Sequence, residues 1–150
     1  VSETTQDPAQ QKAQMDRWNA AVVEEFRTRG GKVGGRFEGV PVVLVHHVGR
    51  RSGAERVSPM VYQDVDGALA VFASKGGGPV HPDWYHNLLA HPGTTVEVGT
   101  ETFPVRVREL TGEERTAVWE KQKALVPGFA EYEVTAAPRQ IPVLLLERAG

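Results

Sequence analysis

Residues 42–74 of this 150-residue chain read VVLVHHVGRRSGAERVSPMVYQDVDGALAVFAS, and the fold turns on how that stretch divides. Three apolar, β-branched segments stand out: Val42 to Val48, Val57 to Val65 and Ala68 to Ser74. Each has strand length, and each is bounded by turn residues. Val42 to Val48 is almost continuously apolar, as a central strand covered on both faces would be. Asp66-Gly67 between the second and third segments is a hairpin signal. Working outward towards the C-terminus, Pro82 is placed to start a helix running to about Ala90, and Pro92-Gly93 ends it. Thr95 to Val98 and Thr102 to Glu109 read as a second hairpin. Thr111-Gly112-Glu113-Glu114 opens a helix with Thr111 as N-cap and with Val118 and Leu125 on its inner face. A short helix over Phe129 to Val134 and a buried strand over Ile141 to Glu147 follow. Towards the N-terminus, glycines at 30, 31, 34 and 35 break the chain. Lys12 to Arg29 before them is a helix, with Met15, Trp18, Val22 and Phe26 at helical spacing. Residues 1–11 are a polar, flexible tail. Strands in hairpin pairs rather than βαβ units predict an α+β domain over residues 12–150. Its mainly antiparallel sheet curls into a small barrel with flanking helices.

Composition narrows the function more by exclusion than by signature. At 150 residues the chain suits one domain that buries roughly 70% of its unfolded surface. The absence of cysteine excludes disulfides, thiolate metal sites and cysteine nucleophiles, and suits a reducing cytoplasm. A formal net charge of −2 provides no global field for nucleic acid, so any basic site must be local. No apolar run reaches the length of a membrane span, and the N-terminus is unlike a signal peptide. The apolar stripe of the first helix can lie on a membrane surface or cover the core. Its mixed charges favour the core.

Two glycine-bracketed basic clusters sit at strand ends. One is Gly49-Arg50-Arg51-Ser52-Gly53-Ala54-Glu55-Arg56; the other is Ala73-Ser74-Lys75-Gly76-Gly77-Gly78. Guanidinium forks and a lysine charge, beside backbone that can come close, are what a phosphorylated or carboxylated small molecule needs. The bland readings are a solvated hairpin paired to Glu55 and a flexible loop. Taken together the clusters form one basic mouth at the open end of a barrel. Asn87 on the following helix can add an amide contact, and Trp84 and Tyr85 can offer flat surface to a ring or simply belong to the core. The spacing of a nucleotide P-loop is absent. His81, His86 and His91 are five apart, off any common helical face, and His46 and His47 point to opposite sides of a strand, so no metal site is expected. No Ser-His-Asp set or carboxylate pair stands out. A site without a nucleophile suits a protein whose cofactor carries the chemistry.

The segments Gly-Arg-Arg-Ser-Gly with Arg56 and Pro59, then Ala-Ser-Lys-Gly-Gly, then His-Pro-Asp-Trp-Tyr-His-Asn-Leu and Ala-His-Pro come in an order that resembles the deazaflavin-dependent nitroreductase family of actinobacteria. The likeness runs from about residue 40 to the closing Ile-Pro-Val strand. It implies a flavin-reductase-like split β-barrel that binds coenzyme F-420, a deazaflavin bearing a phosphate and a polyglutamate tail. By position, the resemblance assigns Arg50, Arg51 and Arg56 to the anionic tail and phosphate, with Ser52 and Gly53 of the same loop among the cofactor-binding residues. It puts Lys75 and the amides of Ser74, Gly76 and Gly77 on the same side. Pro59, Met60 and Val61 match the strand along the deazaflavin ring, and Asn87 matches a polar contact. Val61, Trp84, Phe129 and Tyr132 fall in the substrate pocket. Val61 and Phe129 stand where the better-studied relatives carry tyrosines; Tyr132 is kept, as the candidate for substrate positioning or proton donation. The implied activity is hydride transfer from the reduced cofactor to an activated alkene, quinone or nitroaromatic. An FMN-dependent oxidoreductase on the same barrel and a non-catalytic deazaflavin carrier are the rival readings.

Overall fold

The computed structural model describes residues 8–37 and 39–149. Helix α1 spans Pro8–Thr28, followed by strands β1 (Val42–Val48), β2 (Glu55–Val65) and β3 (Ala68–Phe72). Then come α2 (Asp83–Ala90), β4 (Gly93–Val98), β5 (Glu101–Glu109), α3 (Gly112–Leu125), α4 (Gly128–Ala136) and β6 (Val143–Arg148). Single 3₁₀ turns lie at Gly35–Phe37 and Lys75–Gly77. The six strands close into a barrel in the order β1-β2-β3-β6-β5-β4, every seam antiparallel. The closing β1–β4 seam is short: Leu44 pairs with Glu97 and Val45 with Val96.

Side-chain alternation explains the closure. Val43, Val45, Val71, Val96, Leu144 and Leu146 point inward and pack on Leu88 of α2, which plugs the barrel. The opposite faces are covered too. Val42 and Leu44 lie under Phe26 of α1. Ala70, Phe72, Val143 and Leu145 lie under Trp119 of α3 and Phe129 of α4. Strands with both faces covered have no polar side, so β1 as far as Val45 and β6 as far as Leu146 read as unbroken apolar runs. The β2–β3 turn places Asp66 at φ 52° and Gly67 at φ 91°. Two left-handed residues are what the twist of a tight hairpin demands, and the Asp66-Gly67 pair supplies them.

Two expectations need correction. Helix α1 begins at Pro8, so Pro8 to Gln11 are helical rather than tail, while residues 1–7 lie outside the described residues. A proline costs nothing at a first helical position, whose N–H has no acceptor within the helix. Leu125 is not on the inner face of α3 but 59% exposed. Val118, Trp119 and Gln122 form that face. The chain leaves the helix at Leu125, and Val126 beyond it packs against the cluster instead.

Candidate functional site

Strand β2 changes partners halfway. Residues Glu55 to Val61 pair with β1, and Tyr62 to Val65 pair with β3. The Tyr62 N–H donates to the Pro41 carbonyl at 3.2 Å on the β1 side. Backbone polar groups alternate along a strand, so those of Val57, Pro59 and Val61 face away from β1, to an edge that no described strand pairs. A proline, with no N–H to lose, is tolerated at such an edge. Along it runs a groove of about 1570 Å³, walled by α1, the loop after β1, the start of α2 and α4.

The groove gathers most of the residues singled out from sequence. Arg50, Arg51, Ser52, Arg56, Ser74 and Lys75 line it, as do Pro59, Met60, Val61, Trp84, Phe129 and Tyr132, with the carboxylates of Asp16, Glu24, Glu55 and Asp83 also on its walls. Arg50, Arg51, Arg56 and Lys75 are exposed. Among the described residues none of the four is ion-paired, whereas Arg27, Arg29, Arg108 and Arg148 each sit on a carboxylate. Pairing to Glu55 is therefore not formed. Unpaired cations in one groove fit an anionic ligand, and the apolar side chains that share it fit a flat ring.

The two basic loops are held by different means. In the first, Gly49 N–H bonds the Ala54 carbonyl at 2.9 Å and Gly53 N–H bonds the Gly49 carbonyl at 2.8 Å. Ser52 Oγ accepts from Ala54 N–H at 3.2 Å. The Gly53 amide is thus consumed inside the loop, and Gly53 does not line the groove. In the second, Gly77 N–H goes to the Ser74 carbonyl at 2.9 Å, closing the 3₁₀ turn that holds Gly76. Gly77, at φ 82°, lies against α4: a Cβ there would run into Thr135 Oγ1 and come within 3.1 Å of Tyr132 Cα. The Gly77 amide, expected on the phosphate side, is thus engaged within its own turn, and Gly77 faces a helix. Lys75 itself sits at φ 48°, an uncommon conformation for a side-chain-bearing residue.

Arg139 was not legible as part of this site. Its guanidinium donates to the carbonyls of Ala73 at 3.0 Å, Ser74 at 2.8 Å and Gly78 at 2.8 Å. It also donates to His81 Nδ1 at 2.8 Å, which fixes that nitrogen as the acceptor. One planar fork thereby moulds the whole Lys75 loop. Nothing in the local sequence reveals this, since the partners lie 58 to 66 residues away.

Asn87 lines the groove and is also engaged by the protein. It is buried, its Oδ1 accepts the Arg50 N–H at 3.0 Å, and its Nδ2 meets His47 Nδ1 at 3.0 Å. His47 Nε2 in turn meets Ser58 Oγ at 2.9 Å. Burial, then the charges of Arg56 and His46, push the His47 imidazole down to about 4, with Asp83 opposing. His47 and Ser58 also line the groove. Trp84 is half-buried against the barrel interior. Phe129 is chiefly core, 7% exposed and edge-on to Phe72 at 5.5 Å. Tyr132 packs on Phe129 at 5.2 Å. Among the described residues no group of three or more His, Asp or Glu side chains is disposed to hold a metal.

Relatives give this geometry its context. The family model for F420H(2)-dependent quinone reductase matches residues 18–148. An F420H(2)-dependent quinone reductase of Mycobacterium tuberculosis is 30% identical over 127 residues, covering 82% of this chain and 85% of that one. A solved F420-H2 dependent reductase is 40% identical with a TM-score of 0.65, covering 71% of this chain and 94% of that one. A solved chain described as a domain-swapped dimer is 35% identical with a TM-score of 0.67, covering 91% and 98%. The haem storage protein of Vibrio cholerae, at 13% identity and a TM-score of 0.56, shares the fold alone. The split barrel and the deazaflavin cofactor implied by the motifs are borne out. The chain belongs to the F420H(2)-dependent quinone reductase family: it is an oxidoreductase on a split β-barrel, and its cofactor is coenzyme F-420.

Proposed function

We propose that the groove along β2 binds reduced coenzyme F-420 with its charged end at the basic loops, and reduces a small quinone or activated alkene at the aromatic end. One observation carries this reading: the unpaired cations Arg50, Arg51, Arg56 and Lys75 line the same groove as the apolar side chains of Pro59, Met60, Val61, Trp84 and Phe129, beside an open strand edge. The side chains of Arg50, Arg51, Arg56 and Lys75 hold the phosphate and tail, with Ser52, Ser74 and the turn at Gly76 beside them. Pro59, Met60 and Val61 lie along the deazaflavin ring. Asn87 serves the cofactor by shaping the Arg50 loop. Trp84, Phe129 and Tyr132 border the acceptor, and Tyr132 orients it or supplies its proton. When bound, the reduced cofactor supplies a hydride; the chain contributes orientation, exclusion of water and stabilisation of charge. Val61 and Phe129 make the acceptor end apolar and short of donors, which favours quinones and enones over nitroaromatics. Charge developing on a nitro oxygen would find fewer partners. The acceptor is a small molecule that reaches the groove from solution or from a membrane surface. No described helix is long and apolar enough to cross a membrane.

The test is a parallel titration with oxidised F-420 and FMN, followed by tryptophan fluorescence. F-420 is expected to bind at least about tenfold tighter, a difference of roughly 1.4 kcal/mol. Arg51→Ala and Lys75→Ala should each weaken F-420 binding several-fold while remaining folded, and added salt should weaken binding to the parent. Loss of reduced-cofactor absorbance is then followed with a quinone, an enone and a nitroimidazole. Equal affinity for FMN would defeat the cofactor placement. Tight binding without turnover of any acceptor would favour a carrier.

A further inference from the structure

Four hydrogen-bonding groups at the rim of the barrel form a chain whose direction is fixed from one end. The Arg50 backbone N–H can only donate, so the oxygen of the Asn87 amide must face it, as it does at 3.0 Å. The Asn87 nitrogen is thereby turned towards His47, and an amide nitrogen can only donate. His47 Nδ1 is therefore the acceptor of that 3.0 Å bond and carries no proton. A neutral imidazole then holds its proton on Nε2 and donates it to Ser58 Oγ at 2.9 Å. Burial of the ring keeps it neutral, and a second proton on Nδ1 would oppose the Asn87 amide. The Ser58 oxygen has thus spent one lone pair on His47, and its own proton points elsewhere. Among the described residues no protein acceptor takes that proton. Ser58 is half-buried and lines the groove, so the donor is aimed into it.

The position along β2 says which part of a ligand it meets. Arg56, Ser58 and Met60 share one face of the strand, because side chains alternate. Ser58 follows Arg56 by two residues, about 7 Å at strand rise. It precedes the Pro59–Val61 segment that lies along the ring. We propose that Ser58 is a cofactor-binding residue whose hydroxyl donates a hydrogen bond to an acceptor atom between the phosphate and the ring, and that His47 and Asn87 are positioning residues that fix its direction. This rests on the placement of F-420 in the groove. The chain does not relay protons: neutral His47 has only the Nε2 proton to give, and giving it would leave an imidazolate. Its role is to deny the serine the alternative of donating to the protein.

The experiment has three arms on the full chain. The first reads the free protein: ¹⁵N spectra of the His47 ring at pH 7.5 should show a neutral imidazole protonated at Nε2. The second titrates oxidised F-420 by fluorescence quenching. Ser58→Ala should weaken binding about fivefold while still folded at the titration temperature, with some loss of melting temperature because His47 Nε2 loses its acceptor. Ser58→Thr, which keeps the hydroxyl, should bind within about twofold of the parent and melt close to it. The third is a double-mutant cycle. His47→Phe should lose affinity comparably, and the double variant should lose no more than either single variant, because both remove one bond. Parent affinity in Ser58→Ala, an Nδ1-protonated His47, or fully additive losses would each overturn the proposal. A parent that does not bind F-420 would overturn the cofactor placement and this proposal with it. A parent that binds while Ser58→Ala binds equally well would overturn the Ser58 assignment alone.

Discussion

His47 couples the site to pH. Its folded imidazole titrates near 4, against an ordinary value of 6.5, because burial disfavours the charge and Arg56 and His46 repel it. Between those values the unfolded chain binds more protons than the folded one, so stability falls as pH drops from about 6.5 towards 4. Complete titration of this group is worth on the order of 3 kcal/mol. Glu97 and Glu133 also lose their contributions on acidification, since hydrogen bonds from Arg27 and from Lys123 hold their carboxyls below the usual range. A comparison of variants isolates the histidine. His47→Gln, which keeps an amide nitrogen near the Nε2 position, should show a shallower decline than the parent in urea unfolding at pH 7.5, 6 and 5. Parallel declines would refute the assignment.

Among the elements, the Lys75 turn depends on a residue far along the chain. Arg139 joins three carbonyls of residues 73–78 to His81, and α4 presses on Gly77 from the other side. Lys75 is thus presented by a loop whose shape is imposed from outside it. Arg139→Ala leaves the charge of Lys75 in place but frees the loop. F-420 binding should weaken several-fold although Arg139 does not line the groove. Amide exchange at Gly77 and Gly78 should rise in the same variant, because their bonds to Ser74 and Lys75 lose support. Unchanged exchange with weakened binding would point instead to a direct role of the guanidinium.

For the molecule as a whole, the question is whether α1 belongs to the domain. Phe26 is 1% exposed over Val42 and Leu44. Arg27 grips Glu97 through two bonds, of 3.0 and 2.6 Å, and Glu97 also meets His46 Nε2 at 2.7 Å. The helix therefore closes the outer face of β1 beside the short β1–β4 seam and forms one wall of the groove. Phe26→Ala should cost about 3–5 kcal/mol and lower the midpoint of a single cooperative transition. A variant whose barrel unfolds at the parent midpoint after early release of the helix would mean that α1 is an appendage.

The residues explain how much was legible in advance. The short apolar, β-branched runs in 42–74 and the Asp66-Gly67 pair encode β1 to β3 locally, since run length and left-handed turn residues are properties of neighbours in sequence. The cations were legible for the same reason: Arg50, Arg51, Arg56 and Lys75 sit in short glycine-bracketed runs that no buried segment tolerates. Sequence by itself determined the barrel's strands, the charge at its mouth and, through the motif order, the cofactor class. Only the tertiary structure decided that Asn87 serves His47 and the Arg50 loop, that Gly77 faces α4, that Arg139 shapes a loop more than sixty residues earlier, and that Ser58 has a proton left to give. Each of those facts depends on strand register and on helices packed across the barrel. A hydrogen bond between distant residues acquires its direction from the partners that closure brings together, and no local pattern records it.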